Sequence, residues 1–390
     1  MREELPEEVV QLRDVLTRFV DNEILPLAAQ IDQTNEVPQE LLEKGGQLGL
    51  FGLSIDERYG GLGTSEVASC VALETLSRGP GGVTFFLAPS APAAAIQAAG
   101  TAEQKTRYLP RLAAGEAFSA FCLSEAEAGS DAAGIRTRAI RRNGKWIVNG
   151  SKLWISRAAR AGIFLVSAVT DPDKRGQGGI TIFISEKKAG ITVASPDRQL
   201  GGRGSGSAEV TFQDCEFSDD QVLGEVGGGF DVLKFILGRA RLWAAARAVG
   251  IQQRALELSL AHSQDRKQFG QALGRFQAIK LKLADMAVDL YTSRMLLYRA
   301  ARLFDDGRDP AQEVAIAKLF ATEAGCRAAD TAVQIHGAMG VSQEYVVERL
   351  YRDARAYRIL DGTSDIQRLM IASALQRTGI GDGLAPGGLA

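Results

Sequence analysis

The spacing of hydrophobic residues changes twice along the chain, and the two changes predict three domains. From about residue 6 to residue 115 apolar residues recur at helical intervals, and runs rich in glycine and proline separate the helical stretches. Short runs of β-branched and aromatic residues follow, and the helical period returns after the glycines at 227–229. We predict an α+β multi-domain protein with an N-terminal all-α domain (1–116), a middle antiparallel β domain (117–224) and a C-terminal four-helix bundle (225–390).

The same pattern predicts the individual elements. In the first domain we expect helices near 38–49, 65–78 and 85–99. In the last domain we expect helices at 230–265, 276–304, 310–335 and 364–378, followed by a frayed, glycine-rich tail at 379–390. The β-rich runs lie at 118–123, 145–148, 152–156, 163–169, 180–185 and 208–212. Asn143-Gly144 and Asn149-Gly150 are both typical of β-hairpin turns.

Composition and charge exclude several classes of function. Lys+Arg 45 and Asp+Glu 47 give a net charge of -2, which favours neither nucleic acid nor an anionic membrane as a partner. No apolar segment approaches the length of a membrane span and the N-terminus has no targeting pattern, so we expect a cytoplasmic protein without membrane insertion. The four cysteines are far apart and only two histidines occur, which predicts neither a disulfide framework nor a metal site.

Asp361 is the strongest candidate for a chemically active carboxylate. It is followed by Gly362, which lets another molecule approach the backbone, and by Ser364 and Gln367 at the spacing of a helix capping box. Backbone N–H groups at a helix N-terminus attract anions, so we expect this helix end to help keep Asp361 ionised. Because an Asp-Gly pair before a helix is more often only a turn, the motif alone assigns no chemistry.

Six short motifs in the order of the predicted domains give the chain a resemblance to the acyl-CoA dehydrogenases, flavoproteins that oxidise acyl-CoA thioesters. The motifs are Gly100-Thr101-Ala102-Glu103-Gln104-Lys105, Leu123-Ser124-Glu125 with Ala128-Gly129-Ser130-Asp131, Trp154-Ile155-Ser156, Arg266-Lys267-Gln268-Phe269-Gly270, Gln334-Ile335-His336-Gly337 and Asp361-Gly362-Thr363-Ser364. Each motif is weak alone, and the resemblance covers nearly the whole chain.

The resemblance implies FAD as the cofactor and assigns residues to it. The flavin ring is expected against the middle domain, at Phe121, Leu123, Ser124, Gly129, Ser130, Trp154 and Ser156. The pyrophosphate and adenosine are expected to be met by a neighbouring subunit, through Arg266, Gln268, Phe269, Gln277, Gln334 and Gly337. Thr363 and Asp365 match further positions that touch FAD. A shared cofactor of this kind implies an oligomer, and the resemblance implies a homotetramer.

The resemblance also implies the ligand and the reaction. Ser130, Arg241 and Gly362 match positions that contact CoA. Asp361 stands where the family usually has a glutamate base, and the base position of one branch of the family is Ala240 here. Asp361 would therefore remove the α proton while flavin N5 takes the β hydride, and an electron-transferring flavoprotein would accept the electrons.

Several positions depart from the family pattern, and the one at 361 affects the expected substrate. Arg157 replaces the asparagine that is common after the Trp-Ile-Ser motif, and Ser373 replaces an arginine that contacts substrate in several relatives. Aspartate at position 361 is one methylene shorter than glutamate, which favours a bulky, branched or alicyclic acyl group that reaches toward the base. The alternatives are a nitroalkane-oxidase-like flavoprotein, which also uses aspartate here, and a flavin-binding scaffold without dehydrogenase turnover.

Overall fold

The computed structural model describes residues 5–378, so the tail predicted at 379–390 lies outside the described residues. The N-terminal part is helical, as predicted, and consists of α1 (Glu7–Phe19), α2 (Ala28–Thr34), α3 (Gln39–Gln47), α4 (Glu66–Leu76), α5 (Val83–Phe86), α6 (Ala91–Ala99) and α7 (Ala102–Ala113). The single helix expected at 85–99 is wrong. Pro89 interrupts that segment between α5 and α6, and Ser90 caps α6 by accepting the N–H of Ala93.

The middle part of the chain forms one main β-sheet. Its strands are β1 (Phe118–Cys122), β2 (Arg138–Arg142), β3 (Lys145–Ile155), β4 (Ala161–Val169), β5 (Ile180–Glu186), β6 (Ile191–Val193), β7 (Ala208–Phe217) and β8 (Val222–Leu223). The spatial order is β6-β7-β3-β2-β4-β5-β8, with β1 beside β4. The β domain is confirmed, but the sheet is mixed, since β1 and one residue of β2 pair with β4 in parallel. The β2–β3 segment supplies the long crossover that a parallel β1–β4 pair needs.

The two Asn-Gly pairs have different structures. Asn143-Gly144 forms the predicted hairpin turn between β2 and β3, with φ angles of 50° and 77°. Asn149-Gly150 does not turn the chain, because it lies inside β3 where the register with β7 shifts. The Asn149 side chain exchanges hydrogen bonds with Asp214 on β7, at 3.1 and 2.8 Å. These bonds hold the strands together across a bulge, so the second hairpin prediction was wrong.

The C-terminal part is again helical, and it contains one helix that the sequence pattern did not lead us to predict. Its helices are α8 (Gly229–Asp265), α9 (Gln277–Asp305), α10 (Ala311–His336), α11 (Val346–Tyr357) and α12 (Ser364–Thr378). A small hairpin of β9 (Lys267–Gln268) and β10 (Gln271–Ala272) joins α8 to α9. The unpredicted helix is α11, which buries Val347, Leu350 and Ala354 on one face. The α-helix α8 packs against both α9 and α10 along the centre of this region.

Buried polar contacts fix the N-terminal domain against α8. The Glu66 carboxylate accepts hydrogen bonds from Arg239 Nε at 2.6 Å and from Trp243 Nε1 at 3.0 Å. Asp305 at the end of α9 accepts the first N–H groups of α4. Within residues 5–378, no helix is both long and apolar enough to cross a membrane, and no group of three or more His, Cys, Asp or Glu residues is arranged to hold a metal ion.

Candidate active site

Asp361 lies in the short loop between α11 and α12, where two successive residues have left-handed backbone conformations. The φ angles are 56° at Asp361 and 95° at Gly362. Arg241 Nε, from α8, donates to the Asp361 carbonyl oxygen at 3.1 Å. Lys318 Nζ, from α10, donates to the Gly362 carbonyl oxygen at 2.8 Å. Cations from two long helices therefore hold the loop that carries the candidate base.

The helix cap after this loop is one residue earlier than predicted. Thr363 Oγ1 accepts the N–H of Ile366 at 3.3 Å, whereas Ser364 is already the first residue of α12. Gln367 Nε2 donates to the Gly362 carbonyl oxygen at 2.8 Å. The predicted capping box was wrong, because the Gln367 amide holds a carbonyl of the strained loop instead of accepting an N–H at the cap.

The electrostatic surroundings of Asp361 differ from our expectation. Burial raises the pKa of the Asp361 carboxyl above its ordinary value, and the cations Arg247, Lys318 and Arg241 offset only part of that effect. The expected stabilisation of the ionised form by the helix end is outweighed by the loss of water. Burial also lowers the pKa of Lys318 to about 8. A carboxylate with a raised pKa is a stronger base once it is ionised, which suits it to accept a proton.

The β-domain loop at 123–130 is held by a buried ion pair that sequence reasoning missed. Lys152 Nζ donates to the Glu125 carboxylate at 2.7 Å and to the Leu123 carbonyl oxygen at 3.0 Å. Glu125 also accepts the N–H groups of Arg136 and Thr137, at 2.6 and 3.0 Å. Burial opposes the charge of Glu125, but these partners outweigh it and lower the pKa of its carboxyl. The Lys152 side chain is fully buried, so the pair has a fixed geometry.

The residues assigned to the flavin lie on this loop and on the neighbouring strand ends. Phe121 and Ser124 are half-buried, Leu123 is buried, and Gly129 and Ser130 are exposed. The Ser124 carbonyl oxygen accepts the N–H of Leu153 at 2.9 Å, which joins the loop to β3. A Cβ added at Gly129 would meet nothing within 4 Å, so the loop has open space in front of its backbone.

Trp154 and Ser156 do not follow the simple alternation expected of a strand. The register between β3 and β7 shifts between Lys152 and Ile155, and Trp154 has a φ of 60°. The bulge leaves 61% of the Trp154 surface exposed, although the residue lies at the edge of a well-packed sheet. Ser156 follows the end of the strand and is half-buried. An exposed indole beside hydroxyl-bearing residues can accept a flat aromatic ligand.

The residues assigned to the other end of FAD form an exposed surface at one end of the bundle. Arg266, Gln268, Phe269, Gln277, Gln334 and Gly337 are all exposed. The stacked rings of His262 and His336, with centroids 4.2 Å apart, join the ends of α8 and α10 and so bring Arg266 near Gln334 and Gly337. Among residues 5–378, no hydrogen bond or ion pair joins this surface to the β-domain loop.

The remaining assigned residues lie around the Asp361 loop. Thr363 is half-buried at the cap of α12, and Asp365 is exposed and pairs with Arg368 at 3.2 Å. Gly362 fills a tight position, since an added Cβ would lie 3.0 Å from Gln367 Nε2. The structure thus brings Asp361, Arg241 and Gly362 together, while Ser373 is exposed on α12.

Two further arginines close to this site were not identified as functional from the sequence. Arg247 on α8 is buried and donates to the Thr84 hydroxyl at 3.2 Å and to the Thr84 carbonyl oxygen at 3.3 Å. Arg157 is also buried and donates from Nε to the Phe85 carbonyl oxygen. Arg247 lies in an otherwise apolar run of α8, and such a position could have indicated a buried cation.

The donor set fits a flavin dinucleotide. The β-domain site offers an exposed indole, backbone amides and serine hydroxyls, which suit a planar ring with a polar edge. The bundle surface offers the exposed Arg266 guanidinium and glutamine amides, which suit a pyrophosphate and sugar. Gly337 has a φ of 63° and open space in front of it, so a ligand can approach its backbone closely.

Three domain families match the chain along its length. They are the N-terminal domain (6–116), the middle domain (120–215) and the C-terminal domain (227–376) of acyl-CoA dehydrogenases. A Bacillus subtilis (strain 168) protein described as a probable acyl-CoA dehydrogenase is 41% identical over 96% of this chain and 100% of its own length.

Solved structures agree with the sequence comparisons. The butyryl-CoA dehydrogenase of Megasphaera elsdenii superposes with a TM-score of 0.92 at 33% identity, covering 96% of this chain and 99% of that one. A chain from a study of the electron transferring flavoprotein of Acidaminococcus fermentans superposes with a TM-score of 0.93 at 33% identity, covering 97% and 100%. Because the three domain families match in order and a relative 41% identical is covered over its whole length, the chain belongs to the acyl-CoA dehydrogenase family.

Proposed function

We propose that this enzyme removes hydrogen from the α and β carbons of an acyl-CoA thioester, with Asp361 as the base. The observation that supports the proposal is the position of Asp361 in a strained loop held by Arg241 and Lys318. Among family positions that can carry the base, Asp361 has a carboxylate and Ala240 does not. FAD is the cofactor of this family, and when bound it supplies an acceptor for the hydride that leaves the β carbon.

Each residue of the Asp361 loop has a separate role in this proposal. The Asp361 carboxylate takes the α proton, and its backbone N–H donates to the thioester carbonyl oxygen, where negative charge develops. Lys318 and Arg241 keep the loop in the left-handed conformation that presents both groups. Arg241, Ser130 and Gly362 contact CoA in the proposed complex. The raised pKa of Asp361 increases its basicity once it is ionised.

The short side chain of Asp361 is our reason for proposing a bulky, branched or alicyclic acyl group in the substrate. Replacing glutamate by aspartate withdraws the carboxylate by roughly 1.5 Å. Reacting atoms need to lie about 3 to 3.5 Å apart, so the α carbon must lie closer to the loop. An acyl group with a wide α or β carbon fills the space that the missing methylene leaves.

Cofactor binding is proposed to require a second subunit. Phe121, Leu123, Ser124, Gly129, Ser130, Trp154 and Ser156 would hold the flavin, with Thr363 and Asp365 beside it. Arg266, Gln268, Phe269, Gln277, Gln334 and Gly337 would hold the rest of FAD from another copy, because they form a separate exposed surface. We infer that the protein is a cytoplasmic homotetramer and that it passes electrons to an electron-transferring flavoprotein. We also propose that the domain boundaries lie at 116/117 and 224/225.

Flavin absorbance under anaerobic single-turnover conditions tests the proposal. Cyclohexanecarboxyl-CoA, isobutyryl-CoA and butyryl-CoA are compared with a nitroalkane in the wild-type protein. We expect the thioesters to bleach the flavin, and the cyclic or branched ones to do so faster than butyryl-CoA. Bleaching by the nitroalkane alone would support an oxidase of that kind, and no bleaching by any compound would support a scaffold without turnover.

The same assay with Asp361→Glu tests the size argument. The added methylene should slow flavin reduction by cyclohexanecarboxyl-CoA. Flavin reduction by butyryl-CoA should be as fast as in wild type or faster. If wild type prefers butyryl-CoA and the variant has the same preference, the bulky-substrate inference is wrong while the dehydrogenase proposal stands.

A further inference from the structure

The acyl end of the proposed site contains more positive charge than its own residues neutralise. Arg157 is 8% exposed and Arg247 is 5% exposed. Within residues 5–378, neither guanidinium has a carboxylate within salt-bridge distance, whereas Arg239, Arg294 and Arg352 each have one. The hydrogen bonds of these two side chains go to Phe85 and Thr84, which are neutral acceptors.

The two guanidinium groups converge on one short segment. Arg157 donates to the Phe85 carbonyl oxygen, and the Arg247 guanidinium carbon lies 5.0 Å from the centre of the Phe85 ring. Burial, reinforced by the like charge of Arg247, lowers the pKa of Arg157 to about 9. Asp361 supplies one negative charge, which Arg247 shares with Lys318 and Arg241. Buried positive charge therefore remains in excess, and its cost falls when a ligand brings a negative charge.

The position of this pair relates it to the substrate. Arg157 directly follows Ser156, which is assigned to the flavin edge, and Arg247 acts electrostatically on the carboxylate of Asp361. The proposed acyl group lies between the flavin and the base, and the Thr84-Phe85 segment, which contacts both arginines, connects these two places. Arg157 also lines a small cavity beyond that segment, together with Ser90 and Ser119, whose hydroxyl oxygens lie 2.9 Å apart.

We infer that Arg157 and Arg247 recognise a carboxylate at the far end of the acyl group, so that the substrate is the CoA thioester of a dicarboxylic acid. This inference rests on the proposed function and names its substrate class. A carboxylate is planar and has two oxygens, which matches a guanidinium fork, and the like charge of the two arginines then becomes favourable. A bulky group at the α or β carbon remains compatible with it.

Binding and turnover of matched acyl groups test the inference. Glutaryl-CoA ends in a carboxylate, and 5-methylhexanoyl-CoA has an isopropyl group of similar shape at the same place. The two compounds are otherwise identical. Their 3-thia analogues replace the β carbon by sulfur, so they bind without hydride transfer and give a dissociation constant by calorimetry. We expect wild type to bind the carboxylate analogue at least ~10-fold more tightly than its neutral partner, as for one charge-assisted hydrogen-bonded contact.

Variants then assign the effect to the two arginines. Arg247→Met and Arg157→Met should each remove most of this preference by weakening the carboxylate compound alone, while Arg247→Lys should retain part of it. Arg160→Met is the matched control, since Arg160 lies close to Arg157 in sequence but pairs with Glu36 at 2.8 Å. The control should retain the wild-type preference and FAD content.

The outcomes separate this inference from the proposed function. Equal affinity of wild type for both analogues, or equal weakening of both by the arginine variants, overturns the carboxylate inference. Loss of FAD from Arg157→Met with an unchanged preference also overturns it, because the arginine then serves the cofactor. If neither glutaryl-CoA nor 5-methylhexanoyl-CoA nor any other thioester bleaches the flavin, the proposed function itself fails.

Discussion

The loop at 123–130 and the loop that carries Asp361 are both held by cations, but they differ in how their charges are balanced. In the β domain, buried Lys152 meets one carboxylate, and that carboxylate also has two backbone N–H partners. Around Asp361, Arg241, Arg247 and Lys318 surround a single carboxyl, and burial raises its pKa. The first loop is electrostatically complete without a ligand. The second loop retains an excess of positive charge and a basic carboxylate. A bound ligand would balance that charge and give the carboxylate a proton to accept.

This difference shows which polar groups stabilise the fold and which serve the reaction. A satisfied buried pair gives a fixed geometry to the loop where a flat cofactor must lie. An unbalanced group of charges raises the energy of the free enzyme and favours binding of a negatively charged ligand. Substitutions in each loop can therefore separate the two roles.

Removing the base should have the largest effect. Asp361→Asn keeps the size and hydrogen-bonding capacity of the side chain but cannot take a proton. We expect flavin reduction by an acyl-CoA to slow by at least ~10²-fold, with FAD content unchanged. Stopped-flow absorbance with excess thioester measures the rate. Asp231→Asn, at an exposed position near the start of α8, is the control and should reduce its flavin at the wild-type rate.

Breaking the balanced pair should chiefly affect stability. Glu125→Gln leaves Lys152 buried without a negative partner, so we expect the free energy of unfolding to fall by about 3 kcal/mol. Chemical denaturation of the FAD-free and FAD-loaded protein measures the change. Glu127→Gln is the matched control, because Glu127 is exposed and pairs with Arg136 at the surface. If both variants lose the same small amount, the buried pair does not hold the loop.

Cofactor retention should depend on the exposed bundle surface. Arg266→Ala removes the guanidinium proposed to meet the pyrophosphate, so FAD affinity should fall on the order of tenfold while thermal unfolding of the FAD-free protein stays the same. The fluorescence of flavin released on dilution measures the loss of FAD affinity. Lys267→Ala removes a neighbouring exposed charge and should have a smaller effect. A monomer that retains all of its FAD would contradict the assignment of this surface to a second subunit.

The smallest expected effect concerns pH. The acid limb of kcat/KM reports ionisation of the base in the free enzyme, so the raised pKa of Asp361 places this limb above the ordinary range of an aspartate. Arg247→Met removes a cation that favours the ionised form, so the limb should move to higher pH. Arg160→Met should leave it in place. A shift toward lower pH would show that Arg247 does not act on Asp361.

The sequence predicted the domain order and most long elements, because their hydrophobic periods are strong and are set by burial. It predicted Asn143-Gly144 as a turn but misassigned Asn149-Gly150, since only the pairing of Asn149 with Asp214 distinguishes a bulge from a hairpin. Asp361 was identified from its place in a motif. The roles of Lys152, Arg157 and Arg247 were not predicted, because their partners lie far away in sequence and burial of a cation cannot be read from local pattern alone.

Removal of the α proton can be measured apart from hydride transfer. A 3-thiaacyl-CoA with deuterium on its α carbon cannot lose a hydride from the position of the sulfur, and loss of the label to water, followed by NMR, reports only the base. We predict that the FAD-loaded wild type washes out the label and that Asp361→Asn does so at least ~10²-fold more slowly while binding the analogue normally. Washout by Asp361→Asn at the wild-type rate would contradict the assignment of Asp361 as the base.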